Sequence, residues 1–294
     1  MMTEKELINL ILNSQLPSGA FPSIAYVSEE NFVDENSFTT ALVISILSEF
    51  NEDTQIHNAC KRGVDYLLNC ENPKGSGMFG FYPVNLQPKW IPEFLPPDTD
   101  DTALCSLALF HNGYWKRDQL KHQINKVLKP YQLNQRVSGM EWFKVGMYPT
   151  WLDRKRMNNP IDICVNINVA TLIKEAQIIN QNTDKIFEMV SCSFNWVGND
   201  QKRMQQIMPF YPDPIELYYS LQRAREAGLS EANKALIDMK LLPWRMSSNF
   251  NTPICCSIGG GVIWKSPILQ KARHLKALKK GIGLFFNPQN DMCF

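Results

Sequence analysis

An all-α fold, an α/α toroid of five to six helical hairpins with inner and outer helix rings, is what the sequence predicts. Three observations lead there. Helical stretches apolar on every side alternate with amphipathic ones, and a helix apolar all round has to be buried. The alternation recurs. Thr40-Ala41-Leu42 overlays Thr102-Ala103-Leu104 at an offset of 62 residues, Pro97 to Pro160 spans 63, and Pro160 to Pro212 spans 52. A period of that size is one helical hairpin, and hairpins with one buried and one half-buried helix close into a ring. Finally, no run reads as a convincing strand and no linker divides the chain, so residues 1–294 are expected to form a single domain.

The elements follow in order. Thr3 to Leu16 has one apolar face (Leu7, Leu10, Ile11), and Thr3 with Glu6 has capping-box spacing. A turn, Pro17-Ser18-Gly19-Ala20-Phe21, leads into a long loop ending at Asp34-Glu35-Asn36, and Ser37 to Leu47 is then apolar nearly all round. Thr54 to Cys70 is amphipathic and ends in a second Gly-x-aromatic turn, Gly77-Met78-Phe79. An aromatic, proline-rich loop precedes the next buried helix, which starts at Asp98. The third unit pairs Lys116 to Leu133 with a buried helix from Asp162 to Ala176, and the fourth pairs Thr183 to Ser193 with a helix opened by Tyr211-Pro212-Asp213-Pro214. A weaker fifth has Glu231 to Leu242, after which Gly259 to Gly261 blur the helix expected beyond Thr252-Pro253. The last helix, Pro267 to Lys280, carries Lys271, Arg273, His274, Lys276 and Lys279 at a spacing that reads as a solvated outer face.

Composition narrows the function. A chain of 294 residues, 44% hydrophobic and 20% charged, buries a substantial core. A net charge of +1, with no basic cluster interleaved with aromatics, argues against nucleic acid as a partner. No apolar run approaches the ~20 residues of a membrane span, and the N-terminus lacks a signal layout, so a cytoplasmic protein with at most peripheral membrane contact is expected. The eight cysteines are scattered without a CxxC pair and read as reduced core thiols.

The richest stretch is Pro96-Pro97-Asp98-Thr99-Asp100-Asp101-Thr102-Ala103. Acidic residues suit a helix start, whose unpaired N–H groups and dipole favour negative charge. One cap suffices for one helix, however, and three close carboxylates in a low-dielectric site cannot all ionise cheaply. One of them can then be kept as an acid. Asp34 and Asp213 read as helix caps. Asp162 and Asn166 are four apart on one face of a buried helix and, with Asn168, either knit neighbouring helices or face a wet cavity.

The string Asp98-Thr99-Asp100-Asp101-Thr102-Ala103 resembles the Asp-x-Asp-Asp-Thr-Ala signature of class II terpene cyclases of the squalene–hopene type. The turns at Gly19-x-Phe21 and Gly77-x-Phe79 resemble the glutamine–tryptophan repeats of the terpenoid cyclase and protein prenyltransferase toroids. The resemblance implies an isoprenoid or polyene substrate, cyclised after protonation by Asp100, with Asp98 and Asp101 tuning the acid. It implies no cofactor and no metal for the protonation. Asp162, Asn166, Asn168, Trp142, Tyr211 and Tyr219 are the residues expected to meet the substrate. Such enzymes set the motif between two toroids, so a second copy or a second toroid subunit is expected to close the site.

Three rival readings stand beside it. The first is a non-catalytic toroid that binds a ligand. The second is a carbohydrate-active α/α barrel with Asp100 and Asp162 as paired carboxylates. The third is a zinc site at Asp162-x-Cys164, as in prenyltransferases, which lacks a histidine on the following buried helix: histidines 57, 111, 122 and 274 lie elsewhere.

Overall fold

The computed structural model describes residues 2–50, 52–179, 182–244, 246 and 251–281. In chain order the elements are α1 (Glu4–Asn13), β1 (Pro22–Val27), β2 (Glu30–Glu35), α2 (Ser37–Leu47), α3 (Thr54–Asn69), α4 (Thr99–His111) and α5 (Arg117–His122). They continue with α6 (Ile163–Glu175), α7 (Asn182–Val197), α8 (Met204–Ile207), α9 (Pro214–Glu226), α10 (Ser230–Lys240), β3 (Pro253–Cys256), β4 (Val262–Lys265) and α11 (Pro267–Lys279). After α5 the chain continues in wide π-helical turns from Gln123 to Leu128.

The expectation of an all-α toroid is overturned by a four-stranded antiparallel sheet of order β2-β1-β4-β3, which makes the fold mixed α/β. The stretch read as loop, 21–36, is the β1–β2 hairpin, with Val27 opposite Glu30 and the left-handed Ser28 (φ 55°) in its two-residue turn. The glycines that blurred a fifth buried helix are the bend between β3 and β4, where Gly259 (φ 77°) and Gly260 (φ 74°) adopt a conformation that glycine takes without steric cost. Strands this short give too little alternation to be read as such, and both hairpins lack the Asn-Gly or Asp-Gly turn signal. The sheet joins the two ends of the chain, Ile24 of β1 pairing with Lys265 of β4.

Asp34, expected to cap a helix, sits instead on β2 within this sheet. Its carboxylate accepts from Tyr82 Oη (3.0 Å), Asn36 Nδ2 (2.7 Å), Ser23 Oγ (3.3 Å) and Trp264 Nε1 (3.0 Å), tying both hairpins to the loop after α3. The cap of α2 is Asn36, whose Oδ1 accepts from the Thr39 amide at 2.8 Å.

The buried helices form where the all-round apolar stretches predicted them. Helices α2, α4, α6 and α9 pack each on the next, and α11 packs on α1 and α2. Amphipathic α3, α7 and α10 lie outside them, each with one buried face. The first capping box is present, Thr3 N donating to Glu6 Oε2 (2.7 Å) and Glu6 N to Thr3 Oγ1 (3.3 Å). At the first turn, Gln15 Nε2 donates to the carbonyls of Gly19 and Ala59, both at 2.8 Å. A Cβ at Gly19 (φ 94°) would stand 2.3 Å from the Arg62 carbonyl oxygen, so only glycine permits this approach.

The basic face expected on the last helix is not solvated throughout. Arg273 and His274 are buried, and Arg273 bridges to Glu216 of α9 with two contacts, 2.7 and 2.6 Å. Among the described residues no helix is long and apolar enough to cross a membrane, and the seven described cysteines are free. Cys293 lies outside them.

Candidate active site

Two prolines stop the chain before α4, and Asp98 then caps the helix, its Oδ1 accepting from the Asp101 amide at 2.7 Å. The segment 149–152 braces this start. Thr99 donates from its amide to Thr150 O (2.7 Å) and from its hydroxyl to Pro149 O (2.7 Å), and Leu152 N donates to Pro97 O (3.0 Å). Successive helical residues point about 100° apart, so the three aspartates aim at different neighbours.

Asp101 (1% exposed) turns toward the α3 side, near Cys70 and Cys105, and neither carboxyl oxygen has a hydrogen-bond partner. A buried carboxyl beside a second carboxyl favours its protonated form. Burial and the neighbouring Asp98 push its pKa well above the carboxylate range, and burial pushes Asp98 upward as well. This pair accounts for the anchoring and crowding at the helix start.

Asp100 faces the other way. Its Oδ1 accepts from Asn168 Nδ2 of α6 at 2.7 Å, and its Oδ2 makes a short contact with the hydroxyl of Tyr211. Burial raises its pKa, while the bonds from Asn168 and Tyr211 and the charge of Arg223 pull it down. Asn168 in turn accepts, through Oδ1, from Arg223 Nη2 of α9 at 2.9 Å. The same nitrogen donates to Ser220 Oγ at 2.9 Å.

The remaining expected site residues divide. Asn166 knits: its Oδ1 accepts from Tyr148 N (2.9 Å), and its Nδ2 donates to Tyr148 O (3.0 Å) and Asp162 O (2.9 Å). Asp162, fully buried, caps α6. It accepts from the amides of Cys164 (2.7 Å), Val165 (3.4 Å) and Phe210 (3.3 Å), and burial with Asp100's charge pushes it up to about 8. Asp213 is the cap of α9, as expected, accepting from Ile215 N at 2.9 Å. Trp142 lies in the hydrophobic core. Tyr211 packs at 6.0 Å from Phe38 of α2, and Tyr219 lies beneath the Arg273 guanidinium at 3.8 Å. Among the described residues no group of three or more His, Cys, Asp or Glu could hold a metal.

A cavity of about 380 Å³ opens between the C-terminal halves of α2, α4, α6 and α9 and the length of α11. Leu42, Ile46, Leu104, Leu107 and Leu269 supply apolar wall, and Tyr218 and Tyr219 supply rings. Leu104 and Leu107 are four and seven residues beyond Asp100, hence on the same face of α4. Asp100, 8% exposed, therefore sits one helical turn beneath the wall, and the Asn168–Arg223 pair connects it to the lining. At the mouth Lys276 bridges Glu49 (2.5 Å) and Glu226 (2.6 Å), Lys280 joins Glu226 (2.5 Å), and His111 faces Glu175 (3.6 Å).

Sequence reasoning missed Arg223, Glu216 and Arg273. The signal was present, because Glu216 and Arg223 are charges seven residues apart on one face of a helix expected to be buried. A buried charge needs a partner, and asking where those partners lie would have drawn in Arg273.

No protein-family model and no curated protein matches this chain. Solved structures that resemble it include the type II terpene cyclase MstE from Scytonema without ligand, at 12% identity over 95% of this chain and 96% of that one, with a TM-score of 0.48. A ligand-free tyrosine-to-phenylalanine variant of MstE gives 13% identity, 95% coverage of each chain and a TM-score of 0.48. An arginine-to-alanine variant, in complex with its substrate geranylgeranyl dihydroxybenzoate, gives 13%, 94% of this chain, 95% of that one and 0.45. At that distance the activity of this chain has to be argued from its own residues.

Proposed function

We propose that this protein is a type II terpene cyclase-like enzyme in which Asp100 protonates an isoprenoid to start its cyclisation. The observation that carries the reading is the setting of Asp100: a buried carboxyl held by two side chains, not by backbone amides, beneath an apolar, tyrosine-bearing cavity. Desolvation favours the protonated form of Asp100, which a general acid requires. An alkene end lying against Leu104 is about one turn, ~5 Å, from that carboxyl. The proton passes from Asp100 to the terminal alkene carbon, the alkene electron pair forms the new C–H bond, and the cation left on the chain is captured by the next double bond. The Tyr218 ring on the wall stabilises the travelling positive charge, the Tyr219 ring already carrying the Arg273 guanidinium. Loss of a proton from the final cation, or capture of water, ends the reaction, and Asp100 regains a proton for the next cycle. No step calls on a metal-held diphosphate. Asp98 and Asp101 hold the helix start and crowd it with carboxyl groups.

One observation favours a second reading. Both oxygens of Asp100 are already bonded and the side chain lies beneath the cavity wall, which also suits a binding protein whose Asp100 locks α4 to α6 and to Tyr211. Incubation with farnesyl and geranylgeranyl derivatives and with squalene separates the two. Cyclic product from the native chain, lost in Asp100→Asn at unchanged melting temperature, supports the cyclase. Saturable binding with no product from either protein supports the binder.

A further inference from the structure

We propose that Arg223 is a positioning residue for this acid: acting through Asn168, it decides which oxygen of Asp100 carries the proton and how readily that proton leaves. The inference rests on the reading of Asp100 as the acid.

The argument starts from what each group can do. A guanidinium has only donors. Arg223 Nη2 lies 2.9 Å from one end of the Asn168 amide, so that end must be the carbonyl oxygen. The amide nitrogen then necessarily faces Asp100 Oδ1, at 2.7 Å, and Oδ1 can only accept. A proton on Asp100 is thereby favoured on Oδ2, where the Tyr211 hydroxyl, a donor to the ionised carboxylate, can turn and accept. Were the amide to turn over, the asparagine oxygen would face Oδ1 and hold the proton there, away from Oδ2. Ser220 Oγ, which also accepts from Nη2 at 2.9 Å, keeps the guanidinium at this angle.

Charge works in the same direction. Arg223 forms no ion pair among the described residues, whereas Arg273, Lys276 and Lys280, the other cations lining the cavity, each have a carboxylate. When the O–H bond of Asp100 breaks, the carboxylate left behind faces an amide N–H polarised by that unpaired cation. The groups that also face Asp100 oppose this effect or are neutral: Asp98 and Asp101 on its own helix, Asp162 and Cys164 at the start of α6, Tyr211 before α9, and Glu216 on α9, itself neutralised by Arg273 of α11. The phenylalanine that α2 brings to the site, Phe38, carries no charge. Arg223 is thus the cation that offsets a crowd of acids.

An opposite charge close to a carboxyl moves its titration by about 1–3 pH units, and the lower end applies across an intervening amide. The test needs no substrate. With aspartate carboxyls labelled with ¹³C, the Asp100 signal is identified by its loss in Asp100→Asn and titrated by infrared difference spectroscopy. In Arg223→Met the midpoint should rise by about one unit, and in Arg223→Lys it should return toward the native value. Should Arg223→Met fail to fold, Asn168→Ala, which removes the bridge and leaves Arg223 on Ser220, should give the same upward shift. A midpoint unmoved in Arg223→Met, or in Asn168→Ala in its place, overturns the proposal. Failure of the native protein to cyclise any polyene would sink the cyclase reading and leave this midpoint where it was found, so the two failures are distinct.

Discussion

Replacing Glu216 by leucine should destabilise the protein far more than the loss of one hydrogen-bonded pair at a surface. Glu216 (1% exposed) and Arg273 (5%) meet in a two-pronged contact of 2.7 and 2.6 Å that links α9 to α11. With the carboxylate gone, the guanidinium stays buried over the Tyr219 ring, its remaining acceptor being Gln270 Oε1 at 3.4 Å. Removing one partner of a buried ion pair costs about 3–5 kcal/mol, against about 0–1 kcal/mol for an exposed pair. At ~2 °C per kcal/mol for a chain of this size, the melting temperature should fall by about 6–10 °C. The double variant Glu216→Leu/Arg273→Met replaces both charges by apolar groups and should recover most of that loss, since such swaps are often neutral or stabilising. Thermal unfolding followed by circular dichroism reads both. A single variant that melts within 2 °C of the native protein would refute the reasoning. It would mean that Arg273 finds water in the cavity, and the hollow could no longer be treated as dry.

Two pH dependences follow from buried titratable groups. Burial raises Asp162 from 3.8 to about 8, so the folded state holds this proton more tightly than the unfolded state. The resulting stability is present below pH ~4 and is lost as pH rises through about 8. Asp162→Asn keeps a good cap for α6, so urea unfolding should show it equal to native at pH 4 and more stable at pH 9; a difference independent of pH would count against the shift. His274 is buried with neither ring nitrogen bonded, and burial lowers its pKa below 6.5. The unfolded state then takes the proton more readily, and stability is lost as pH falls through 6.5. His274→Leu should flatten that loss between pH 7.5 and 5, and an identical slope in both proteins would show that the ring reaches solvent.

How much of this was legible in the sequence depends on which physical signal each residue left. Ser37 to Leu47, Thr99 to His111 and Ile163 to Glu175 announced themselves because a helix buried on all sides needs apolar residues on all sides. The Asp98 cluster was visible because three adjacent carboxylates exceed what one helix start can use. The sheet was not visible: β3 and β4 are four residues each, and Val262-Ile263-Trp264-Lys265 shows no alternation that separates it from a helical turn. Its partner β1 lies at the opposite end of the chain, a pairing that no local window contains. Arg273 and His274 were misplaced for a related reason. The lysines of the same helix do reach the cavity mouth, and spacing alone cannot separate a cation that pairs inside from one that faces water. Asn168 was picked out, but its role depends on Arg223, 55 residues further on.

The β1–β4 pairing also governs when the molecule can be finished. Strands bonded to each other begin at Pro22 and end at Lys265, so a chain leaving the ribosome has made most of its helices before the second half of its sheet exists. Until then Asp34 lacks the indole donor of Trp264, α9 lacks Arg273, and the greasy hollow stands open along one side. Joining segments so distant carries a loop-closure cost that grows only slowly with length but must be met before any contact rewards it. Assembly should therefore end in a single late docking of the segment that carries β3, β4 and α11.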